Sequence, residues 1–544
     1  MTSDPVDVLV VGAGPTGLTL ALQLAMFGVR VRIIDRGTDR VHESRALAIQ
    51  ARTLEVLAGS GVADELVDCG NTTVRLRIHA GNRETGVPLF DLGLPDTAHP
   101  YLLFLSQAET ERILDEHLTA AGVRVERRVE LVDLADETPA DTAVATLRHP
   151  DGSDEPVLVR YVVGCDGAHS TVRRLAGIGF TGGAYPQTFV LADLEADGVA
   201  PGAAHAFLSG RGMLFFFPLQ RPATWRILAM RPPTDPTPPD APVALDEVQT
   251  LTDAYTAGTV QLRDPVWLTN FRLHHRAATR YRAGRVFLAG DAAHIHSPAG
   301  AQGMNTGIQD AVNLAWKLAH ALRGVTDPAL LDSYHTERAP VGRMVLRFSD
   351  RAFTVATSPN PIVRTLRTRL APMLIPLVLK PRTVRAYGFR ILAQLAIRYR
   401  HSPLSFDGPH PPRRGPKAGD PLPDTPIVHN GQPTTLHRLV AAPGWHLLLC
   451  GPVHAWAATN APSLARRHAE ILTVHHLTPP DTGGPDGGGS ALHRLGLTPT
   501  GTAQYLIRPD GYVGYRAGGT DLAVLTGYLN RWLPVPQRRP ESTG

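Results

Sequence analysis

Cysteine is nearly absent. The 544 residues hold three, Cys69, Cys165 and Cys450, with no CxxC pair and no spacing suited to zinc or a disulfide framework. A reducing, cytoplasmic setting is expected from that count. Lysine is as scarce: Lys317, Lys380 and Lys417 are the whole set, so the net charge of +4 is carried almost wholly by arginine. With abundant alanine, glycine and proline, this bias reads as GC-rich coding more than as a nucleic-acid surface. Basic clusters such as Arg364 to Arg369 read first as solvated helix faces, and no nucleic-acid module signature is found. Long apolar runs are missing too. The longest uncharged one, Ala371 to Leu379, is far short of the roughly twenty residues a membrane-spanning helix needs. The opening MTSDPVD lacks the basic segment and apolar core of a signal peptide. A secreted, metal-held, nucleic-acid-binding or membrane-spanning protein is therefore not expected. At this length two or three domains are.

What is present is a series of three glycine-centred motifs: GAGPTG at Gly12 to Gly17, CDGAHS at Cys165 to Ser170, and GDAAHIHSPAGAQGMN at Gly290 to Asn305. The first follows an apolar, β-branched run, Val6 to Val11, and leads into Leu18 to Phe27, whose leucine and alanine suit a helix. Strand, glycine turn and helix are the parts of a dinucleotide fold. Gly12 allows the tight turn, Gly14 lets backbone approach a pyrophosphate, and Gly17 lets the helix pack closely on the sheet. The helix amino terminus, with Pro15 and Thr16, then offers unpaired N–H groups to phosphate. A second apolar run, Val29 to Ile34, ends in Asp35 and Arg36, where an acidic residue is expected to meet ribose hydroxyls. A similar-looking GSGVAD at Gly59 to Asp64 lacks the third glycine and a preceding strand, and reads as a helix end.

The other two motifs are weaker alone. Asp166 lies in a glycine-flanked turn after the apolar run Val157 to Val163; it either accepts hydrogen bonds from a cofactor or makes an ordinary Asx turn. Val286 to Leu288 reads as a short strand delivering Gly290 and Asp291, followed by a glycine-rich loop into a helix at Ile308 to His320. The backbone N–H groups of Gly303, Met304 and Asn305 stand at that helix start, where negative charge is stabilised.

Taken in order, the three motifs resemble the class A flavoprotein aromatic hydroxylases, single-component FAD monooxygenases related to para-hydroxybenzoate hydroxylase and phenol hydroxylase. The resemblance covers at least residues 5 to 345 and extends in style to bacterial aromatic polyketide hydroxylases and rifampicin monooxygenase. It implies that Asp166 contacts FAD, that Asp166 and Arg173 serve a transient NADPH or NADH, and that Gly290 and Asp291 hold the ribityl chain. It also places Arg45 and Gln107 on the cofactor, although by themselves these read as a surface charge and a helix-terminal residue. Pro298 matches a proline whose carbonyl lines the oxygen-transfer site. Asp35 stands where glutamate is usual, and Ser44 where many members have proline. His274, His275, His294 and His296 are available by type, but no general base is assigned, and His294 belongs to the family loop with a structural role.

The implied fold is an α/β FAD-binding, Rossmann-like domain of the glutathione-reductase type (residues 1–180 and 281–400), with an α+β substrate-binding sheet domain at 181–280. A Pro- and Gly-rich linker at 401–426 precedes a thioredoxin-like domain at 427–544. The tail run RPDGYVGYR, Arg508 to Arg516, resembles that of longer members, and Asp510-Gly511 signals a hairpin. Without CxxC, packing or a homodimer contact is its expected role. In the sheet region Phe215, Phe216, Phe217 and Trp225 supply large apolar area; alternate residues face opposite ways, so Phe215 and Phe217 oppose Phe216. Phe215, Phe217 and Trp225 are the candidate substrate contacts, with core packing as the alternative for each.

The resemblance implies that NAD(P)H reduces FAD, that O2 adds to give a flavin hydroperoxide, and that an electron-rich ring receives oxygen. The absence of a second GxGxxG and of a redox cysteine pair argues against disulfide reductases. A multi-ring aromatic, polyketide-like substrate is expected first and a simple phenol second. Baeyer-Villiger insertion or epoxidation on the same scaffold stays open, as does a flavin-binding protein without turnover.

Overall fold

The computed structural model describes residues 5–40, 46–80, 83–88, 94–137, 142–209, 212–219, 223–232, 235, 237, 238, 241–296, 301–325, 327–357, 360, 362, 363, 366, 378, 381–429, 431–478 and 489–533. Five parallel strands form the body of its eight-stranded first sheet, in the order Val286–Leu288, Asp154–Gly164, Val6–Val11, Val31–Asp35, Val125–Arg127, with the short Arg282–Ala283 antiparallel beside the first. An antiparallel hairpin, Glu130–Glu137 with Thr142–Arg148, extends from the second of these. Central parallel strands are covered on both faces, which is why Val6–Val11 and Val159 to Val163 carry β-branched residues almost continuously. Helix Pro15–Met26 packs against the buried helix Gly303–Leu322, so residues nearly 300 positions apart form the floor of one site.

The second sheet has eight strands, in the order His294–Ile295, Gln261–Ala278, Phe180–Asp197, Trp225–Met230, Gly212–Pro218, Ala203–Ser209, Arg75–Ala80, Arg83–Pro88. A boundary that puts all of 1–180 in the first domain therefore needs correcting. The hairpin Arg75–Pro88 completes the second sheet, because Arg75–Ala80 pairs in parallel with Ala203–Ser209. Helix Leu245–Thr256 covers one face through Val248, against Val190, Leu214, Phe216 and Ile227.

The C-terminal sheet is mixed: Phe406–Asp407, Val513–Gly518, Ala503–Ile507, Trp445–Cys450, Leu472–Leu477. The expected hairpin at Asp510-Gly511 is there, with Gly511 at φ +77°. The segment 401–426, expected as a linker, is not merely one. Its Phe406–Asp407 pairs with Tyr515 and Arg516, and both Asp407 oxygens accept from Arg516 at 2.7 and 3.1 Å, which ties this stretch to the sheet edge. Helix Pro328–Thr357 runs through Pro340. Among the described residues no helix is long and apolar enough to cross a membrane.

Candidate active site

The glycine loop has the geometry its sequence demands. Gly12 sits at φ +102°, where a Cβ would stand 2.4 Å from the Cys165 carbonyl oxygen, and a Cβ on Gly17 would stand 1.9 Å from the Gly12 oxygen. Any side chain at either place forces strand, loop and helix apart. Gly14 is different: a Cβ there meets nothing within 4 Å, so its open side is free for a bound group. Pro15 begins the helix, where its missing N–H costs nothing. Thr16 is wedged between the two cofactor motifs, with its Oγ1 where a Cβ on Gly290 or Gly307 would come, at 2.6 and 2.3 Å.

Asp35 ends its strand beside this loop. Its Oδ2 accepts from Ala13 N–H at 2.7 Å and its Oδ1 from Gly37 N–H at 2.7 Å. A cavity of about 120 Å³ opens here, lined by Gly12, Asp35, Arg36, Leu131, Asp166 and His169 among others. Asp166 points one oxygen at the amino terminus of helix Thr171–Leu175, accepting from Thr171 N–H at 2.6 Å and Val172 N–H at 3.1 Å. Its other oxygen is buried without a hydrogen-bond partner. A buried orphan acceptor beside a glycine cradle suits a ligand that brings hydroxyl groups. The Cys165 thiol next to it is buried, and burial pushes its pKa well up, so it is no nucleophile.

Arg173 stands differently from expectation. Its guanidinium stacks over Phe180 at 3.8 Å and donates to the Ala292 carbonyl at 2.9 Å and the Ala168 carbonyl at 2.8 Å. It ties the second motif to the third and leaves little of itself for a nicotinamide cofactor. Gln107 begins helix Gln107–Ala120, accepts from Ala46 N–H at 3.3 Å and donates to Glu111 at 2.8 Å. Arg45 and Pro298 lie outside the described residues, as do 297–300 of the third motif.

Gly290 takes φ +61°, and Asp291 follows in a short 3₁₀ turn at the sheet edge. Beyond, helix Gly303–Leu322 starts with Gly303, Met304 and Asn305, whose N–H groups precede the first intrahelical acceptor; the first closed bond is Thr306 N–H to the Gln302 carbonyl, 2.9 Å. The Asn305 side chain clamps the neighbouring loop, accepting from Gln50 N–H and donating to the Ala48 carbonyl, each at 2.8 Å. Beneath lies a buried cluster invisible in the sequence. Asp310 accepts from Arg338 at 2.6 Å and bonds His294 at 2.7 Å, and its second oxygen also takes the Gly290 N–H at 3.1 Å. Burial opposes the Asp310 charge, but Arg338 and His294 outweigh it and hold the carboxyl below its usual range. His294 is thus structural.

The second sheet divides its aromatics by register. Phe217 pairs with Arg226 and Pro218 with Trp225, so Trp225 shares the face of Phe216. Both are buried under helix Leu245–Thr256, their rings 6.1 Å apart and edge-on. Trp225 is therefore core, and its expected substrate contact is corrected: one step of strand parity turns it away. Phe215 and Phe217 stack on the opposite face at 5.5 Å, half-buried, and Phe217 lies 6.5 Å from Phe104 of the first domain. The same face carries a buried pair that no local pattern announced: Arg226 donates both ways to Asp193, at 2.7 and 2.6 Å, and to the Ala46 carbonyl at 3.0 Å.

With this geometry in place, the family comparisons are specific. Residues 5–349 match the model described as FAD binding domain, and 415–536 that described as aromatic-ring hydroxylase, C-terminal. The chain belongs to this family of FAD-binding aromatic-ring hydroxylases and is a flavin-dependent monooxygenase. It is 36% identical to 6-methylpretetramide 4-monooxygenase of Streptomyces rimosus across 100% of this chain and 96% of that one. It is 35% identical to the rifampicin monooxygenase of Streptomyces venezuelae over 72% of this chain and 79% of the relative. A ternary complex of aklavinone-11 hydroxylase with FAD and aklavinone superposes with a TM-score of 0.80 at 27% identity, covering 98% and 100% of the two chains.

Proposed function

We propose that the protein uses NADPH or NADH and O2 to hydroxylate a multi-ring aromatic substrate of the polyketide type. What carries the reading is the stacked, half-buried Phe215–Phe217 wall turned toward Phe104 and the first domain, in a chain similar over its whole length to a hydroxylase of that substrate class. FAD, when bound, would pass electrons from the nicotinamide to O2, so that one oxygen atom enters the substrate and the other leaves as water. Gly12, Gly14, Pro15, Thr16 and Gly17 would carry its pyrophosphate, Asp35 and Arg36 its ribose, and Gly290 and Asp291 its ribityl chain. The orphan oxygen of Asp166 has the chemistry to accept from a cofactor hydroxyl. The N–H groups of Gly303, Met304 and Asn305 would stabilise negative charge on the reduced ring. By the resemblance, Arg45, Gln107 and the Pro298 carbonyl would also serve this site. The flat faces of Phe215 and Phe217 orient an aromatic ring and exclude water. The C-terminal sheet with its helices is read as a thioredoxin-like fold without a redox pair, working through packing.

Product mass after incubation with NADPH, O2 and a panel of aromatic polyketides tests this. One added oxygen as a new hydroxyl is expected, with substrate-stimulated NADPH oxidation. An added oxygen without a new hydroxyl overturns hydroxylation, and no stimulation by any aromatic overturns catalysis on them.

A further inference from the structure

A second concavity lies away from the glycine loop. A cleft of about 680 Å³ lies between the first domain and the C-terminal sheet, within the size range of small-molecule sites. Two loops cross at its edge. Gly415 and Gly496 are both at φ +81°, and a Cβ on Gly496 would stand 2.1 Å from the Arg414 oxygen, while one on Gly415 would stand 2.5 Å from that of Leu495. This backbone contact gathers Arg413, Arg414 and Arg494 around one opening.

The carboxylates of the cleft are already engaged. Glu55 pairs with Arg52 at 2.9 Å, Asp96 pairs with Arg390, and Asp420 takes Arg400 through both oxygens at 2.7 Å each. Arg413, Arg414 and Arg494 have no carboxylate partner among the described residues, and the Nε of Arg494 is buried without a hydrogen bond. Arg413 and Arg414 reach solvent and Arg494 is half-buried, so the three give the opening positive charge without a carboxylate of their own, and their forked donors suit phosphate. Leu497, Pro421 and Pro423, each partly exposed, give the same cleft apolar surface.

We propose that this cleft is a second nucleotide site, taking a phosphate-bearing nucleotide with its phosphates on Arg413, Arg414 and Arg494 and its base against Leu497, Pro421 and Pro423. The site is distinct from the glycine loop and makes no claim on catalysis.

ADP binding to the full, FAD-loaded protein, measured by equilibrium dialysis, tests it, with adenosine and inorganic pyrophosphate as parallel arms. Saturable ADP binding is expected, with adenosine much weaker and pyrophosphate weaker than ADP. The triple variant Arg413→Ala, Arg414→Ala, Arg494→Ala should lose at least tenfold in ADP affinity while FAD content and basal NADPH oxidation stay unchanged. Arg413 is exposed, so Arg413→Glu alone gives a second route that spares the fold and should also weaken ADP at least tenfold. No saturable ADP binding, or ADP held equally well by both variants, overturns the site. Pyrophosphate binding as tightly as ADP overturns the nucleotide and leaves a free phosphate pocket.

Discussion

Replacing Glu337 by glutamine should loosen the C-terminal domain about as much as a large cavity in that interface would. Glu337 is buried on helix Pro328–Thr357 and accepts from five donors: Arg508 at 2.6 and 2.8 Å, Lys317 at 2.8 Å, Asn313 at 2.7 Å and Ser402 at 2.5 Å. Arg508 also pairs with Asp510, which binds Asn313 at 3.0 Å, and the Asp510 carbonyl takes Arg52 at 3.1 Å. Burial disfavours the Glu337 charge, yet Arg508 and Lys317 more than offset that and hold its carboxyl far below the usual range. An amide in its place keeps the volume but leaves two buried cations short of an anion, which costs about 3–5 kcal/mol. The assay is urea unfolding followed by tryptophan emission, because Trp316 and Trp445 face each other at 5.4 Å across the same interface. The double change Glu337→Gln, Lys317→Met, which removes one charge of each sign and leaves Arg508 paired with Asp510, should cost less than Glu337→Gln alone. A loss below about 1 kcal/mol for Glu337→Gln, or a double variant less stable than the single one, refutes the reasoning.

Three other outcomes follow from the geometry. Gly17→Ala brings a methyl to 1.9 Å from the Gly12 carbonyl, so the purified variant should carry almost no flavin by visible absorbance; normal FAD content would refute the packing role. Phe217→Ala should raise KM for an aromatic substrate with little change in Tm, whereas Trp225→Ala, on the buried face, should cost about 3–5 kcal/mol of stability with KM preserved in what folds. His320 accepts from the Trp445 indole N–H at 3.2 Å and bonds the Trp316 carbonyl at 2.7 Å, and burial lowers its pKa from 6.5 to about 4. The folded state thus favours the neutral ring; its contribution is full above pH 6.5 and is lost as pH falls toward 4, up to about 3 kcal/mol. A Tm that falls no faster in wild type than in His320→Gln across that window would refute it.

The cofactor loop was legible because its constraints are local. Gly12 and Gly17 announce a backbone with no room for Cβ, and the strand–turn–helix pattern around them needs no knowledge of the rest of the chain. Asp35, too, lies at a countable distance from the loop. The proposed substrate wall was legible only to parity: the sequence sets Phe215 and Phe217 against Phe216, but which face is covered depends on helix Leu245–Thr256, some thirty residues on. Trp225 failed for the same reason, since its face is fixed by pairing opposite Pro218. Asp310 with Arg338, and Asp193 with Arg226, left no signal at all, because each pair is made by elements distant in sequence and any Asp or Arg reads as surface until partnered.

Helix Gly303–Leu322 shows why the tail belongs to this site mechanically. Its first N–H groups stand where the flavin ring is proposed to lie. One turn later Asp310 holds His294, Gly290 and Arg338, and Arg338 reaches back to the Thr306 carbonyl at 3.0 Å and on to Tyr399 at 2.7 Å. Two turns further Asn313, Trp316, Lys317 and His320 meet Asp510, Glu337 and Trp445. A rod buried from Asn305 to His320 has no solvent face along which to relax. The C-terminal domain at one end and Thr16, Gly290 and Gly307 at the other therefore bear on one element packed along its whole length. That explains why a domain lacking a redox cysteine pair is nonetheless bound through buried charge: the RPDG turn places Arg508 and Asp510 on the rod that positions the proposed oxygen chemistry.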